Sequence, residues 1–156
     1  MICTIDRQFA ESIAKVREEG KELLKSNRPL SYDYEILGLM GEMAFADFSG
    51  YEVDTSQRMD GDKGVDFVID GYTIDVKTAR KAYNLIVEVG KVKADFYVLA
   101  SLVSQYEVEL IGWETGREVS SSKTDEGKLF KNNVHNHFIK AVDLQPMWKL
   151  RDKLNL

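Results

Sequence analysis

The chain has 156 residues, of which 44% are hydrophobic and 30% are charged, a composition typical of one soluble globular domain. Its net charge of −5 argues against a non-specific nucleic-acid coat protein, because such proteins are usually basic, but it leaves room for an enzyme whose carboxylates bind divalent cations. No apolar run approaches the roughly 20 residues that span a bilayer, and the first eight residues lack a secretory pattern. The lone Cys3 excludes an internal disulfide and a cysteine-based metal cluster, so we expect a reducing cytoplasm.

Apolar residues spaced mostly three or four apart predict a first helix over residues 6–25. Asp6 stands where an N-cap residue would accept the first backbone hydrogen bonds. The predicted apolar stripe of this helix contains Phe9, Ile13 and Val16. The polar stretch from Ser26 to Pro29 ends this helix.

A second helix is predicted over residues 31–48, and the glycine at position 50 closes it. Its apolar stripe consists of Leu37, Met40, Ala44 and Phe48. Gly38 and Gly41 lie on the same helix, where the absence of a side chain would let another backbone segment approach closely.

After residue 50 the pattern becomes typical of strands. Strands are predicted over residues 51–53, 65–69, 72–78, 85–89, 96–103, 106–113 and 138–144. The near-continuous apolar run of 96–103 indicates a central strand buried on both faces. Residues 117–128 are polar and are predicted to form a loop, and Pro146 begins a C-terminal helix. The fold class is therefore α/β, with one domain over residues 1–156 and a mixed central β-sheet flanked by helices.

The Asp70-Gly71 dipeptide predicts a two-residue hairpin turn between residues 65–69 and 72–78. With this turn, alternation sorts the hairpin into an apolar face and a polar face. The apolar face carries Val65, Phe67, Ile69, Tyr72, Ile74 and Val76. The polar face carries Asp66, Val68, Thr73, Asp75 and Lys77.

The same register sets Asp66 directly opposite Asp75, and like charges in that position destabilise a sheet. A divalent cation between the two carboxylates would account for the pairing, since Mg²⁺ prefers hard oxygen ligands. Lys77 projects from the same face and could reach a phosphate or a metal-bound water. The alternative is a solvated sheet face whose aspartates are eased by a weak salt bridge with Lys77.

Three short motifs occur in order: Gly41-Glu42 on the second helix, Gly64-x-Asp66 before the hairpin, and Asp75-x-Lys77 after its turn. In this arrangement the chain resembles the PD-(D/E)xK nuclease superfamily. The buried strand of residues 94–100, which begins Ala-Asp-Phe-Tyr, is similar to the strand that follows this motif in phage and restriction-type members. The resemblance covers residues 31–103, about half of the chain. Val65 stands where the family name has proline.

The resemblance implies a restriction endonuclease-like core of helix, three-stranded meander, helix and further strand. It also implies hydrolysis of DNA phosphodiester bonds with Mg²⁺, or Mn²⁺ in its place. Asp66 and Asp75 would be metal ligands together with the main-chain carbonyl of Val76, and Glu42 would complete the metal site directly or through water. Lys77 would orient the attacking water and stabilise the developing charge. The segment after Lys77, partly helical in the family, looks extended at residues 85–89.

Four basic residues follow the proposed catalytic strand and are candidate contacts to the DNA backbone, with a solvated face as the alternative. They are Arg80, Lys81, Lys91 and Lys93. A phage, restriction, junction-resolving or homing-type endonuclease fits this interpretation, and a homodimer or higher homo-oligomer stays open. Alternatives are an RNA-specific nuclease, a catalytically inactive nuclease-fold protein that binds nucleic acid or a partner protein, and a structural protein whose polar hairpin face is only surface.

Other polar residues receive an ordinary structural interpretation. Glu35, two helical turns before Glu42, is predicted to be solvated, and Asp60 and Asp62 are predicted to serve a turn. The His135-Asn136-His137 run lacks the context of the nuclease motif that its letters spell. Tyr83 and Tyr97 are predicted to lie in the core rather than to stack on bases.

Overall fold

The computed structural model describes residues 1–24, 32–54, 65–128 and 133–156. Its helices are α1 (Arg7–Leu24), α2 (Tyr32–Ser49), α3 (Gly116–Ser121) and α4 (Met147–Lys153), and a 3-10 turn covers Ala141–Asp143. Its strands are β1 (Ile2–Thr4), β2 (Phe67–Ile69), β3 (Tyr72–Ala79), β4 (Asn84–Glu88), β5 (Phe96–Leu102), β6 (Glu107–Thr115) and β7 (Asn136–Lys140). None of the described helices is both long enough and apolar enough to cross a membrane.

The main sheet has the strand order β1-β6-β5-β3-β2, and β4 pairs with β7 in a separate two-stranded sheet. The β3–β5 pair is parallel, while the other pairs are antiparallel. The main sheet is therefore mixed, as predicted. Strand β5 lies at its centre, and its residues from Phe96 to Ala100 are all buried, which confirms the interpretation of the apolar run.

Two apolar clusters cover opposite faces of the main sheet, because successive residues of a strand point to opposite sides. Helix α2 packs on the face that carries Ile74, Val76 and Val98. The other face carries Tyr97 and Leu99 and is covered in part by β4 and α3. The predicted stripe of α2 is confirmed, since Leu37, Met40, Ala44 and Phe48 are all buried.

The hairpin turn is confirmed. Asp70 and Gly71 both have positive φ angles, 52° and 80°, which suits a two-residue turn. The register pairs Ile69 with Tyr72 and Phe67 with Ile74. The predicted apolar face is buried at Phe67, Ile69, Ile74 and Val76.

Helix α1 begins as predicted, because the Asp6 carboxylate accepts a hydrogen bond from the Phe9 N–H at 3.1 Å. Its buried face differs from the predicted stripe. The helix buries Ala10, Ile13, Ala14 and Arg17, whereas Phe9 and Val16 are exposed. Two residues of this buried face, Ala10 and Ala14, are small, and the larger Phe9 and Val16 beside it stay at the surface.

Several predicted elements differ in the structure. Residues 51–53 form no strand, and β1 was not predicted. The prediction of a loop over 117–128 is wrong at its start, where Thr115 caps α3 by accepting a hydrogen bond from the Glu118 N–H. Strand β7 begins two residues before the predicted 138–144 and gives way to the 3-10 turn.

The connection from β3 to the parallel strand β5 is the main departure from the core that the resemblance implies. It is described throughout, and it contains the strand β4 and no helix. The extended pattern of residues 85–89 predicted this change. The connection is possible without a helix because β4 pairs with the distant strand β7, which satisfies its backbone groups.

Candidate functional site

Asp66 lies just before β2, where the strand pairing gives way to a side-chain contact. Its N–H donates to the Ile74 carbonyl at 2.8 Å, although Ile74 is already the cross-strand partner of Phe67. Its carboxylate accepts a hydrogen bond from the Val76 N–H at 2.7 Å. The predicted pairing of Asp66 directly opposite Asp75 is therefore replaced by a step in register that points the Asp66 carboxylate at the β3 backbone.

This step in register places the Val76 carbonyl in the site. In an antiparallel ladder the N–H and C=O of one residue point toward the same neighbouring strand. The Val76 N–H points at Asp66, so the Val76 carbonyl is directed to the same side of β3. A side-chain oxygen and a main-chain oxygen of the predicted metal site thus come from adjacent strands.

Asp75 and Lys77 project together from the opposite face of β3 to Ile74 and Val76. The Lys77 ammonium lies 2.6 Å from the Asp75 carboxylate. The Asp75 side chain is 4% exposed and stands beside Tyr97 in the sheet, whereas that of Lys77 is 38% exposed. A buried carboxylate is thus joined to a cation whose other side faces solvent.

Helix α2 approaches this part of β3 at Gly41. A Cβ atom at Gly41 would lie 1.8 Å from the Thr78 hydroxyl oxygen, far closer than any side chain permits. Only glycine allows the helix backbone to cross β3 at this height, one residue after Lys77. The close crossing holds Glu42, the next residue of α2, beside the strand that carries the Asp-x-Lys motif.

Glu42 is buried and is held by Arg17 of α1, a residue that the sequence analysis did not select. Two guanidinium nitrogens of Arg17 donate to the two carboxylate oxygens of Glu42 at 3.3 and 3.1 Å. Arg17 also donates to the Asp54 carbonyl at 2.8 Å. The available signal was its spacing, because Arg17 follows the buried Ala10, Ile13 and Ala14 by seven, four and three positions.

The Arg17 guanidinium brings further carboxylates into one electrostatic group. The Glu35 carboxylate lies 3.6 Å away and its side chain is 12% exposed, so the prediction of a solvated Glu35 is wrong. Burial opposes the charged form of Arg17, but the hydrogen bonds and charge of Glu42, with the charges of Glu35 and Asp66, raise its pKa above the ordinary value. Arg17 thus contacts Glu42 on α2 directly, and the charge of Asp66 at the hairpin acts on the same guanidinium. We call Arg17, Glu42 and Asp66, together with the Asp75–Lys77 pair on the other face of β3, the hairpin cluster.

The oxygen atoms of this cluster are of the kinds that bind a hard cation. Carboxylate and main-chain carbonyl oxygens are the ligands that Mg²⁺ prefers, and Mg²⁺ usually takes one or two carboxylates and completes its shell with water. Asp66, Asp75 and the Val76 carbonyl carry oxygen atoms of these kinds, Asp66 at the β2-facing edge of β3 and Asp75 on its sheet face. Within the described ranges, no three acidic, histidine or cysteine side chains converge closely enough to hold a metal by themselves.

The candidate DNA contacts are at the surface. Arg80, Lys81, Lys91 and Lys93 are all exposed, and Lys91 forms an ion pair with Glu88 at 2.8 Å. The prediction that both tyrosines lie in the core holds for one of them. Tyr97 is buried, and its hydroxyl accepts hydrogen bonds from the Lys93 and Ala94 N–H groups, but Tyr83 is 71% exposed.

Asn136, in the middle of the His135–His137 run, is buried against Asp125, and we call Asp125 and Asn136 the loop cluster. The Asp125 carboxylate accepts hydrogen bonds from the N–H groups of Gly127 and Asn136 and from the Asn136 side-chain amide. His137 contacts the Ser122 carbonyl through Nδ1 at 3.3 Å. Asp60, Asp62 and Gly64, which the sequence analysis also considered, lie outside the described residues.

Cys3 is buried, with its Sγ 3.7 Å from the Ala44 carbonyl. Burial, together with the nearby Asp47, raises the pKa of its thiol, so the thiol stays protonated at neutral pH. A protonated, buried thiol is a poor nucleophile, and this agrees with the absence of a histidine nearby in sequence.

Comparison with protein-family models, with curated proteins and with solved structures gives no match for this chain.

Proposed function

We propose that the chain is a Mg²⁺-dependent nuclease that hydrolyses DNA phosphodiester bonds, with a PD-(D/E)xK site on a restriction endonuclease-like core. The observation that carries the proposal is the arrangement around β3. Asp66 contacts the Val76 backbone at 2.7 Å from one side, and Asp75 and Lys77 form a 2.6 Å pair on the same strand. Gly41 brings the helix-borne Glu42 against that strand.

The burial of Asp75 argues against the main alternative, a solvated sheet face. A surface aspartate would need no cation, but Asp75 is 2% exposed beside the fully buried Tyr97. Placing a carboxylate in such surroundings is costly unless a cation is paired with it. Lys77 is such a cation, and its partly exposed side chain leaves it accessible to a substrate phosphate.

We assign a role to each residue. Asp66, Asp75 and the Val76 carbonyl would hold the divalent cation, and Glu42 would complete the metal site directly or through a bound water. A divalent cation held there would lower the pKa of a bound water and offset the charge of the scissile phosphate. Lys77 orients the attacking water and stabilises the charge that develops on the phosphate oxygens. Exposed Arg80 and Lys81, which directly follow β3, contact the DNA backbone.

The proposed core differs from the family pattern between β3 and β5, where the described chain has neither a third meander strand in the main sheet nor a helix. The α2 helix, the β2–β3 hairpin and the buried strand β5 stand in the expected chain order. The connection between β3 and β5 contains β4, which pairs with β7 and packs on the sheet face that carries Tyr97 and Leu99.

The test is cleavage of linear, circular, single-stranded and branched DNA with Mg²⁺, with Mn²⁺ and with chelator. Wild type is compared with Asp75→Asn and Lys77→Ala, and with the matched surface variants Asp152→Asn and Lys149→Ala on α4. We expect metal-dependent cleavage by wild type and by both α4 variants, and none by the two β3 variants. Cleavage that persists in both β3 variants would disprove the site.

A second candidate is an inactive nuclease-fold protein that binds nucleic acid. It is favoured by the contact in which both Glu42 oxygens are held by Arg17. A wild-type protein that binds DNA but cuts neither DNA nor RNA with any divalent cation would establish this candidate instead.

A further inference from the structure

We infer that Arg17 is a positioning residue that holds Glu42 for divalent-cation binding at the hairpin cluster. The inference rests on the proposed function and adds a residue to it. Arg17 lies on α1, outside the motifs that suggested the nuclease, and the geometry of its contacts assigns it this role.

The Arg17–Glu42 contact is bidentate. A bidentate arginine–carboxylate pair fixes both the distance and the orientation of the two planar groups. Here the distances are 3.3 and 3.1 Å, and both side chains are 9% exposed. Glu42 is therefore held in one orientation. A carboxylate that binds a metal, or hydrogen-bonds to a metal-bound water, needs such a fixed orientation.

Arg17 connects three separate parts of the chain. It starts on α1, contacts Glu42 and Glu35 on α2, and donates to the Asp54 carbonyl beyond the end of α2. The negative charge of Asp66 acts on the same guanidinium. No other described arginine has ion-pair or hydrogen-bond contacts of this kind to the candidate metal ligands.

The stability of the fold does not by itself explain the buried Arg17. Desolvation offsets most of the attraction in a buried ion pair, so an apolar pair of similar size would pack α1 on α2 at least as well. The Nε of Arg17 is buried and has no hydrogen-bond partner among the described residues, which is a further cost. A costly buried cation beside candidate metal ligands is better explained by the position that it gives to Glu42.

Arg17→Lys is the informative variant, because removing the charge would by itself favour cation binding. Lysine keeps the charge but cannot form the bidentate contact. The measurement is Mn²⁺ binding by isothermal titration calorimetry, with no DNA present. The matched control is Arg7→Lys on the same helix, where the arginine pairs with Glu11 at the surface.

We expect Arg17→Lys to weaken Mn²⁺ binding by roughly tenfold or more, the usual effect of losing an outer-shell partner, while Arg7→Lys binds as wild type does. Adding Arg17→Lys to Glu42→Gln should weaken binding no further than Glu42→Gln alone. Thermal unfolding in chelator serves to compare the folded stability of each variant without metal.

Mn²⁺ binding by Arg17→Lys equal to that of wild type overturns the positioning role and leaves the nuclease proposal intact. Tighter binding by Arg17→Met with unchanged binding by Arg17→Lys also overturns it, because Arg17 would then act only as a charge. A wild-type protein that binds no Mn²⁺ overturns the proposed function and this inference with it.

Discussion

The hairpin cluster and the loop cluster both bury carboxylates, but they satisfy them in different ways. Asp125 accepts hydrogen bonds from backbone N–H groups and an amide that lie within 11 positions of it in sequence. Glu42 and Asp75 contact the cationic groups of Arg17 and Lys77, and Arg17 comes from another helix.

The difference separates a structural carboxylate from a candidate functional one. The hydrogen bonds from Gly127 and Asn136 hold the loop around Asp125, which is a structural task for a buried carboxylate. Cationic side chains can be displaced or complemented by a metal ion or by a phosphate, so a carboxylate that they hold can change partners. We therefore expect mutations in the loop cluster to change stability, and mutations in the hairpin cluster to change cleavage and metal binding.

The largest expected effect comes from the matched pair Asp75→Ala and Asp125→Ala. Asp75→Ala should lower the cleavage rate by at least about a hundredfold, the scale of losing one electrostatic contribution to a transition state. Asp125→Ala should instead destabilise the fold by roughly 1–3 kcal/mol, because it leaves buried donors unsatisfied. Cleavage assays and chemical denaturation of both variants check the two outcomes. Reversed outcomes would end the distinction between the clusters.

Gly41→Ala and Gly38→Ala test whether the close crossing of α2 maintains the hairpin cluster. Alanine at 41 meets Thr78, so we expect a loss of about 1–3 kcal/mol from overpacking, together with impaired cleavage. Nothing lies within 4 Å of a Cβ at Gly38, so Gly38→Ala should stabilise α2 by up to about 1 kcal/mol. Denaturant unfolding measures both.

A compensating second substitution makes the same test more specific. Thr78→Gly in the Gly41→Ala background removes the clashing side chain, so it should restore cleavage if the crossing distance is what matters. If the double variant stays as inactive as Gly41→Ala, the distance between α2 and β3 does not control the site.

A smaller effect distinguishes the surfaces beside the two clusters. Arg80→Gln with Lys81→Gln, next to the hairpin cluster, should reduce the salt dependence of DNA binding by about 0.9 in logarithmic slope for each phosphate that the variant no longer neutralises. Lys123→Gln with Lys128→Gln, which removes two exposed lysines flanking Asp125, should leave the slope unchanged. Binding titrations over a range of salt concentrations give the slopes. Equal slopes for the two double variants would place the DNA elsewhere.

Local patterns in the sequence were enough to predict the hairpin, the two long helices and the central strand β5. The turn at Asp70-Gly71 depends on backbone preferences of those two residues, and the alternation of residues 72–78 follows from strand geometry. The same local rules placed Asp75 and Lys77 on one face and Ile74 and Val76 on the other.

The tertiary structure decided which polar residues meet. The step in register that turns Asp66 toward the Val76 N–H depends on a contact across the hairpin that alternation alone does not contain. Arg17 and Glu42 lie 25 positions apart and meet only because α1 packs against α2. A charged residue on a helix is usually solvated, so its burial is set by the partner that covers it, and the sequence of one helix does not contain that partner.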